Sequence, residues 1–81
     1  MLAGVDANPG VGHALDILGL LARHTEPLPA ARVASALGLP RSSTYRMLAT
    51  LTDRGFVSHL RESGRFALGA AAYELGWAYQ R

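Results

Sequence analysis

Between Gly38 and Leu51 the chain reads GLPRSSTYRMLATL, and this stretch holds the side chains best suited to chemistry at a surface. On a helix each residue turns by about 100°, which puts Ser42, Tyr45, Arg46 and Ala49 on one face and Thr44, Met47, Leu48 and Leu51 on the other. The second set is apolar enough to enter a core. The first offers hydroxyl groups, a guanidinium fork and one small residue that lets the helix backbone approach a partner. Such a face suits a nucleic-acid major groove, where arginine bonds guanine through two parallel hydrogen bonds and hydroxyls reach base edges or phosphates. An ordinary solvated face would show similar polarity, so the surrounding elements must decide between the two.

Other chemistries find little support in the 81 residues. There is no close pair of carboxylates, no Ser-His-Asp constellation and no phosphate-cradling glycine loop, and so small a chain leaves little room for a substrate pocket. Catalysis is not expected. His13 and His24 stand eleven residues apart with only Asp16 and Glu26 nearby, a poor set of metal ligands. The absence of cysteine excludes disulfides, thiol nucleophiles and thiolate-bound metals, and fits a cytoplasmic setting. No metal or cofactor is expected. Neither a secretory leader nor a membrane span is expected, because the first ten residues lack a basic start with a long apolar run and no segment approaches about 20 apolar residues.

Net charge is only +2, but its distribution is informative. Every basic residue counted as Lys or Arg is arginine, and Arg41, Arg46, Arg54, Arg61 and Arg65 fall within 25 residues. Arginine's planar fork suits phosphate and guanine recognition.

The elements that must position these groups follow from periodicity and punctuation. Residues 1–10 have no period and are expected to form a mobile tail. From Val11 a helix is expected, with Val11, Ala14, Leu15, Leu18, Leu21 and Ala22 as its core stripe. A second stripe, His13, Ile17, Leu20 and His24, lies roughly 130° away. Ile17 and Leu20 are therefore expected at a partner surface, unless the C-terminal helix covers them. The prolines of TEPLP end this helix and predict a short extended piece around Leu28. A second helix, about Pro29 to Leu37, buries Ala30, Val33, Ala34 and Leu37. Gly38 turns the chain, Pro40 prevents continuation, and Ser42 or Ser43 is expected to cap the third helix, which should stop near Gly55. The period then changes to two. Phe56 to Leu60 and Arg65 to Leu68 predict a hairpin around Glu62, Ser63 and Gly64, with Arg61 and Arg65 at its tip. From Ala70 the chain returns to helix, and Tyr73, Leu75, Trp77 and Tyr79 point in more than one direction. The fold class is thus mainly α with a small β-hairpin: a winged helix-turn-helix of three helices plus a wing, over residues 11–69, followed by the start of a linker helix over 70–81.

The motifs His13-Ala14-Leu15-Asp16-Ile17-Leu18, Gly38-Leu39-Pro40, Thr44-Tyr45-Arg46, Leu48-Ala49-Thr50-Leu51, Arg54-Gly55-Phe56-Val57 and Gly64-Arg65-Phe66-Ala67-Leu68-Gly69 occur in this order. Their combination, over about residues 11–81, resembles the DNA-binding domain of IclR-type bacterial transcriptional regulators. The resemblance implies a repressor or activator that binds a promoter as a homodimer or tetramer, with a small-molecule effector sensed by a C-terminal domain that these residues do not include. It also implies that the first helix and the linker contribute dimer contacts, in line with Ile17, Leu20 and Trp77. Pro29 departs from the pattern where a serine cap is common, and Thr44 stands where valine is usual.

The expected function is sequence-specific binding of double-stranded DNA, with the third helix, about Arg41 to Arg54, in the major groove. Ser42, Ser43, Tyr45 and Arg46 would lie nearest the bases, Arg41 and the helix N-terminus would hold a phosphate, and Arg61 and Arg65 would grip backbone or minor groove. Two protomers would read a palindromic operator. The alternative is a winged-helix module for protein contacts alone, whose third helix should show an acidic or apolar outer face.

Overall fold

The computed structural model describes residues 7–81. In chain order the elements are α1 (Pro9–Arg23), β1 (Leu28–Pro29), α2 (Ala30–Leu37), α3 (Arg41–Asp53), β2 (Val57–Leu60), β3 (Arg65–Leu68) and α4 (Ala70–Gln80). α1 starts two residues earlier than its apolar period, because the Asn8 side chain accepts a hydrogen bond from the Val11 N–H at 3.2 Å and Pro9 opens the first turn. Pro9 and Gly10 thus belong to the helix, while residues 1–6 of the expected tail lie outside the described residues.

The buried side of α1 is rotated toward the second stripe: of the expected core stripe Leu21 is buried and Leu18 packs against the core, whereas Val11 and Leu15 do not. Ile17 is 0% and Leu20 6% exposed, and with Leu21 they form the buried side of the helix. Val11 is 54% and Leu15 61% exposed. The expectation that Ile17 and Leu20 meet a partner is therefore corrected. These residues pack in one cluster with Leu28, Val33, Leu48, Val57 and Phe66, and it is this cluster, not the C-terminal helix, that takes up their surface. Both stripes are apolar, so amphipathicity alone does not rank them; the positions of α2 and the sheet do.

Two left-handed glycines set the directions of α2 and α3. Gly38 has φ 67° and Gly55 φ 83°. At the first, Leu39 N–H donates to Ala34 O at 2.9 Å and Gly38 N–H to Ser35 O at 3.3 Å. At the second, Phe56 N–H donates to Leu51 O at 2.9 Å and Gly55 N–H to Thr52 O at 3.0 Å. Each end is a Schellman motif with an apolar residue after the glycine, which satisfies the last carbonyls and turns the chain inward. At the start of α3 neither Ser42 nor Ser43 caps; Pro40 occupies the cap position and no side chain bonds the first turn. Thr44 is fully buried, and its hydroxyl donates to Pro40 O at 2.9 Å, which makes a polar atom tolerable in the core.

The hairpin forms as its period requires, with Val57 opposite Leu68 and His59 opposite Phe66. The extended piece at Leu28 becomes a third strand: Leu28 pairs with Phe66 and Pro29 with Arg65, giving the antiparallel order β1-β3-β2. Pro29 lies on an edge strand, where its missing N–H costs little. α4 leaves the sheet through Gly69, whose N–H donates to Phe56 O at 2.9 Å, and through Ala71 N–H to Gly55 O at 2.9 Å. A Cβ at Gly69 would stand 2.4 Å from Gly55 O, so only glycine fits this junction. No residue of α4 is buried.

Candidate nucleic-acid interface

Leu48 and Thr44, fully buried, fix which way α3 faces. The opposite side then carries Ser42, Arg46, Ala49 and Asp53, all exposed, with Tyr45 leaning toward the wing and Thr50 toward α1. Two open grooves flank this ridge. One, on the α1 side, is walled by His13, Ser43, Arg46 and Thr50; the other, on the wing side, by Tyr45, Ala49, Asp53, His59 and Phe66. Thr52, also in the wing-side groove, has a buried hydroxyl oxygen with no hydrogen-bond partner.

The expected site residues fall into three places. Ser42 and Arg46 share the outward ridge, Arg41 is exposed in the first turn of α3, and Ser43 is half-buried in the α1-side groove. Tyr45, 54% exposed, stands beside the wing-side groove. Arg61 and Arg65 are both exposed on the wing, but in different settings. Arg61 lies in the four-residue turn closed by Gly64 N–H to Leu60 O at 2.7 Å, whereas Arg65 is in β3 and its Nη1 donates to Pro27 O at 3.5 Å, a long bond. Trp77 is 55% exposed on α4.

Sequence reasoning missed His13, Asp53 and His59 as walls of the grooves. The alternation of the hairpin already put His59 on the same face as Val57, and Asp53 lies two turns beyond Arg46 on the same ridge. Pairing of His59 with a buried Phe66, however, depends on hairpin register.

With this geometry, similarity to known proteins is concentrated in the elements that build the ridge. The model of the IclR helix-turn-helix domain matches residues 10–61, which run from α1 through the end of β2. The chain belongs to the IclR helix-turn-helix family. The transcriptional repressor IclR of Escherichia coli is 34% identical over 65 residues, which make up 80% of this chain and 24% of that protein. The glycerol operon regulatory protein of Streptomyces coelicolor is 40% identical over 63 residues, 78% of this chain and 25% of that protein. Among solved structures, an IclR transcriptional regulator from Alicyclobacillus acidocaldarius superposes with a TM-score of 0.83 at 33% identity, covering 88% of this chain and 29% of the other. The chain thus spans about a quarter of the length of the curated relatives it matches. In this IclR-type domain the wing-side groove and the ridge lie on the same side of the molecule, an arrangement open to a rod-shaped partner.

Proposed function

We propose that the chain is the DNA-binding part of a bacterial transcription regulator, and that α3 reads a major groove from its outward ridge. The observation that carries this reading is the composition of the ridge: Ser42, Arg46 and the flanking Tyr45 are exposed on a helix whose other side is locked by Thr44 and Leu48. An acidic or apolar ridge would favour protein contacts; this one carries arginine at its centre. Arg46 is assigned to a guanine edge, with Ser42 and Tyr45 beside it. Arg41 and the uncapped first turn of α3, whose N–H groups have no side-chain partner, are assigned to a phosphate. The wing arginines grip the backbone.

Self-association fits the exposed apolar residues of α1 and α4. Val11 and Leu15 stand out on α1, and Trp77 and Tyr73 form one stripe on α4. A two-fold pair of protomers would place two ridges on a palindromic operator. The relatives named as repressors and operon regulators extend well beyond the matched region, and a domain that senses a small-molecule effector would lie there. A cytoplasmic location accompanies this reading; among the described residues no helix is long and apolar enough to cross a membrane.

The test is fluorescence anisotropy with a mixed-sequence duplex of about 30 base pairs, titrated over a range of salt. With about four phosphates neutralised per protomer, log K should fall with log salt at a slope near −3.6. An operator selected from a random pool then separates the roles: Arg46→Ala should lose about 1–3 kcal/mol on the selected site and much less on a scrambled one. Equal losses on both duplexes would remove Arg46 from base reading.

A further inference from the structure

The wing-side groove contains a residue with no place in the interface so far. His59 and Phe66 are cross-strand partners, so their rings share the inner face of the sheet. They stack with centroids 4.5 Å apart and planes 12° from parallel. Phe66 is buried and belongs to the core, while His59 is exposed and lines the groove opposite Tyr45. The imidazole is therefore held flat at the rim of the core by a ring beneath it, and its outer side is open. Leucine or phenylalanine would cover Phe66 equally well, but neither offers an N–H to whatever enters the groove.

A major groove is about 12 Å wide and an α-helix with its side chains is about 10–12 Å across. A helix that enters the groove is therefore flanked closely by both sugar-phosphate backbones. On one side of α3 the backbone must cross the groove between α3 and the wing. We infer that His59 is a phosphate contact on that strand, donating an imidazole N–H from the sheet while Tyr45 faces it from α3. This inference rests on the DNA-binding reading and adds a residue to it.

From α3 the groups facing His59 are Tyr45 and Asp53; the turn adds Arg61 and Glu62; and Arg65 follows on the opposite face of the sheet. The Asp53 carboxylate is unfavourable to phosphate in this groove, so the contact falls to the donors on its walls, His59 and Tyr45.

The contact is to phosphate, so a mixed-sequence duplex suffices and no operator is needed. Anisotropy titrations over a salt range are made for the unaltered chain, for His59→Phe, which keeps the stack and removes the donor, and for His59→Arg, which puts a guanidinium at the same place. His59→Phe should bind about 5- to 10-fold more weakly, and His59→Arg should keep the affinity and steepen the salt slope relative to His59→Phe by about 0.9, the value of one phosphate contact. A folded His59→Phe that matches the unaltered chain in affinity overturns the inference and leaves His59 as a packing residue. A folded His59→Arg with the same slope as His59→Phe overturns it as well, because no phosphate then lies within reach. If the unaltered chain binds no duplex even at low salt, the DNA-binding reading fails first and this contact with it; duplex binding that His59→Phe does not weaken removes His59 alone.

Discussion

Truncation of two nearby residues on α1 should have very unequal consequences. Ile17 is fully buried against the sheet and α2, whereas Leu15, half a turn away, is 61% exposed. Ile17→Ala removes three carbons from the centre of the core, between α1, α2 and the sheet, and its cost falls in the range of about 2–5 kcal/mol for lost transfer energy plus the residual cavity. At about 0.05–0.15 kcal/mol per residue, a chain of 81 residues has a total stability of roughly 4–12 kcal/mol. This single change therefore consumes a large part of it. Leu15→Ala removes a side chain with somewhat more than a third of its surface covered, worth about 1 kcal/mol or less at ~2–3 kcal/mol for complete burial. Urea unfolding followed by far-ultraviolet circular dichroism, in protein dilute enough to be monomeric, measures both. At high concentration Leu15→Ala should in addition lower the dependence of Tm on protein concentration that self-association through α1 would give. Equal costs for the two variants in dilute protein would refute the placement of α1. A cost below about 1 kcal/mol for Ile17→Ala would do the same.

The junction with α4 gives a second stability prediction. Gly69→Ala needs about 0.6–1 Å of separation from Gly55 O to reach an ordinary contact, and giving up the Gly69–Phe56 and Ala71–Gly55 hydrogen bonds to obtain it should cost about 1–3 kcal/mol in the same unfolding assay; a loss under about 0.5 kcal/mol would show that the junction yields. On the wing, Arg61→Ala should lower the salt slope of duplex binding by about 0.9, whereas Arg65→Ala, whose guanidinium is turned toward Pro27 O, should change it less. The reverse order in the two slopes would assign the DNA-facing role to Arg65.

Much of the ridge could be read from the chain because α3 contrasts sharply around its circumference and is bounded by residues with one conformational use. Gly38 and Gly55 both take the left-handed conformation that ends a helix, and Pro40 starts the next. The exposure of Ser42, Tyr45, Arg46 and Ala49, and the burial of Thr44 and Leu48, follow directly from a 100° step applied to strongly different side chains. α1 lacks that contrast. Apolar residues run most of the way round it, from Val11, Leu15 and Leu18 through Leu21 to Ile17 and Leu20, so the buried side is settled by partners distant in sequence. The two-residue β1 was legible as an extended piece, since Pro27 and Pro29 forbid helix around Leu28. Its pairing with β3 was not, because a strand of two residues carries no register signal of its own.

The walls of the grooves show the same division. Arg46 was legible because its chemistry and its position both belong to one helix. His59 acquires a role only when hairpin register sets its ring over Phe66, and when β3 lies between β1 and β2 so that this ring faces α3. Each condition is a long-range pairing, and a one-residue slip in the hairpin would turn His59 to the outer face and bring Ser58 and Leu60 to the inner one. The core residue Phe66 fixes that register, since slippage would also expose it. Burial of Phe66 and presentation of His59 are consequently one structural event: the apolar contact that stabilises the wing also aims the only imidazole of the sheet into the groove beside α3.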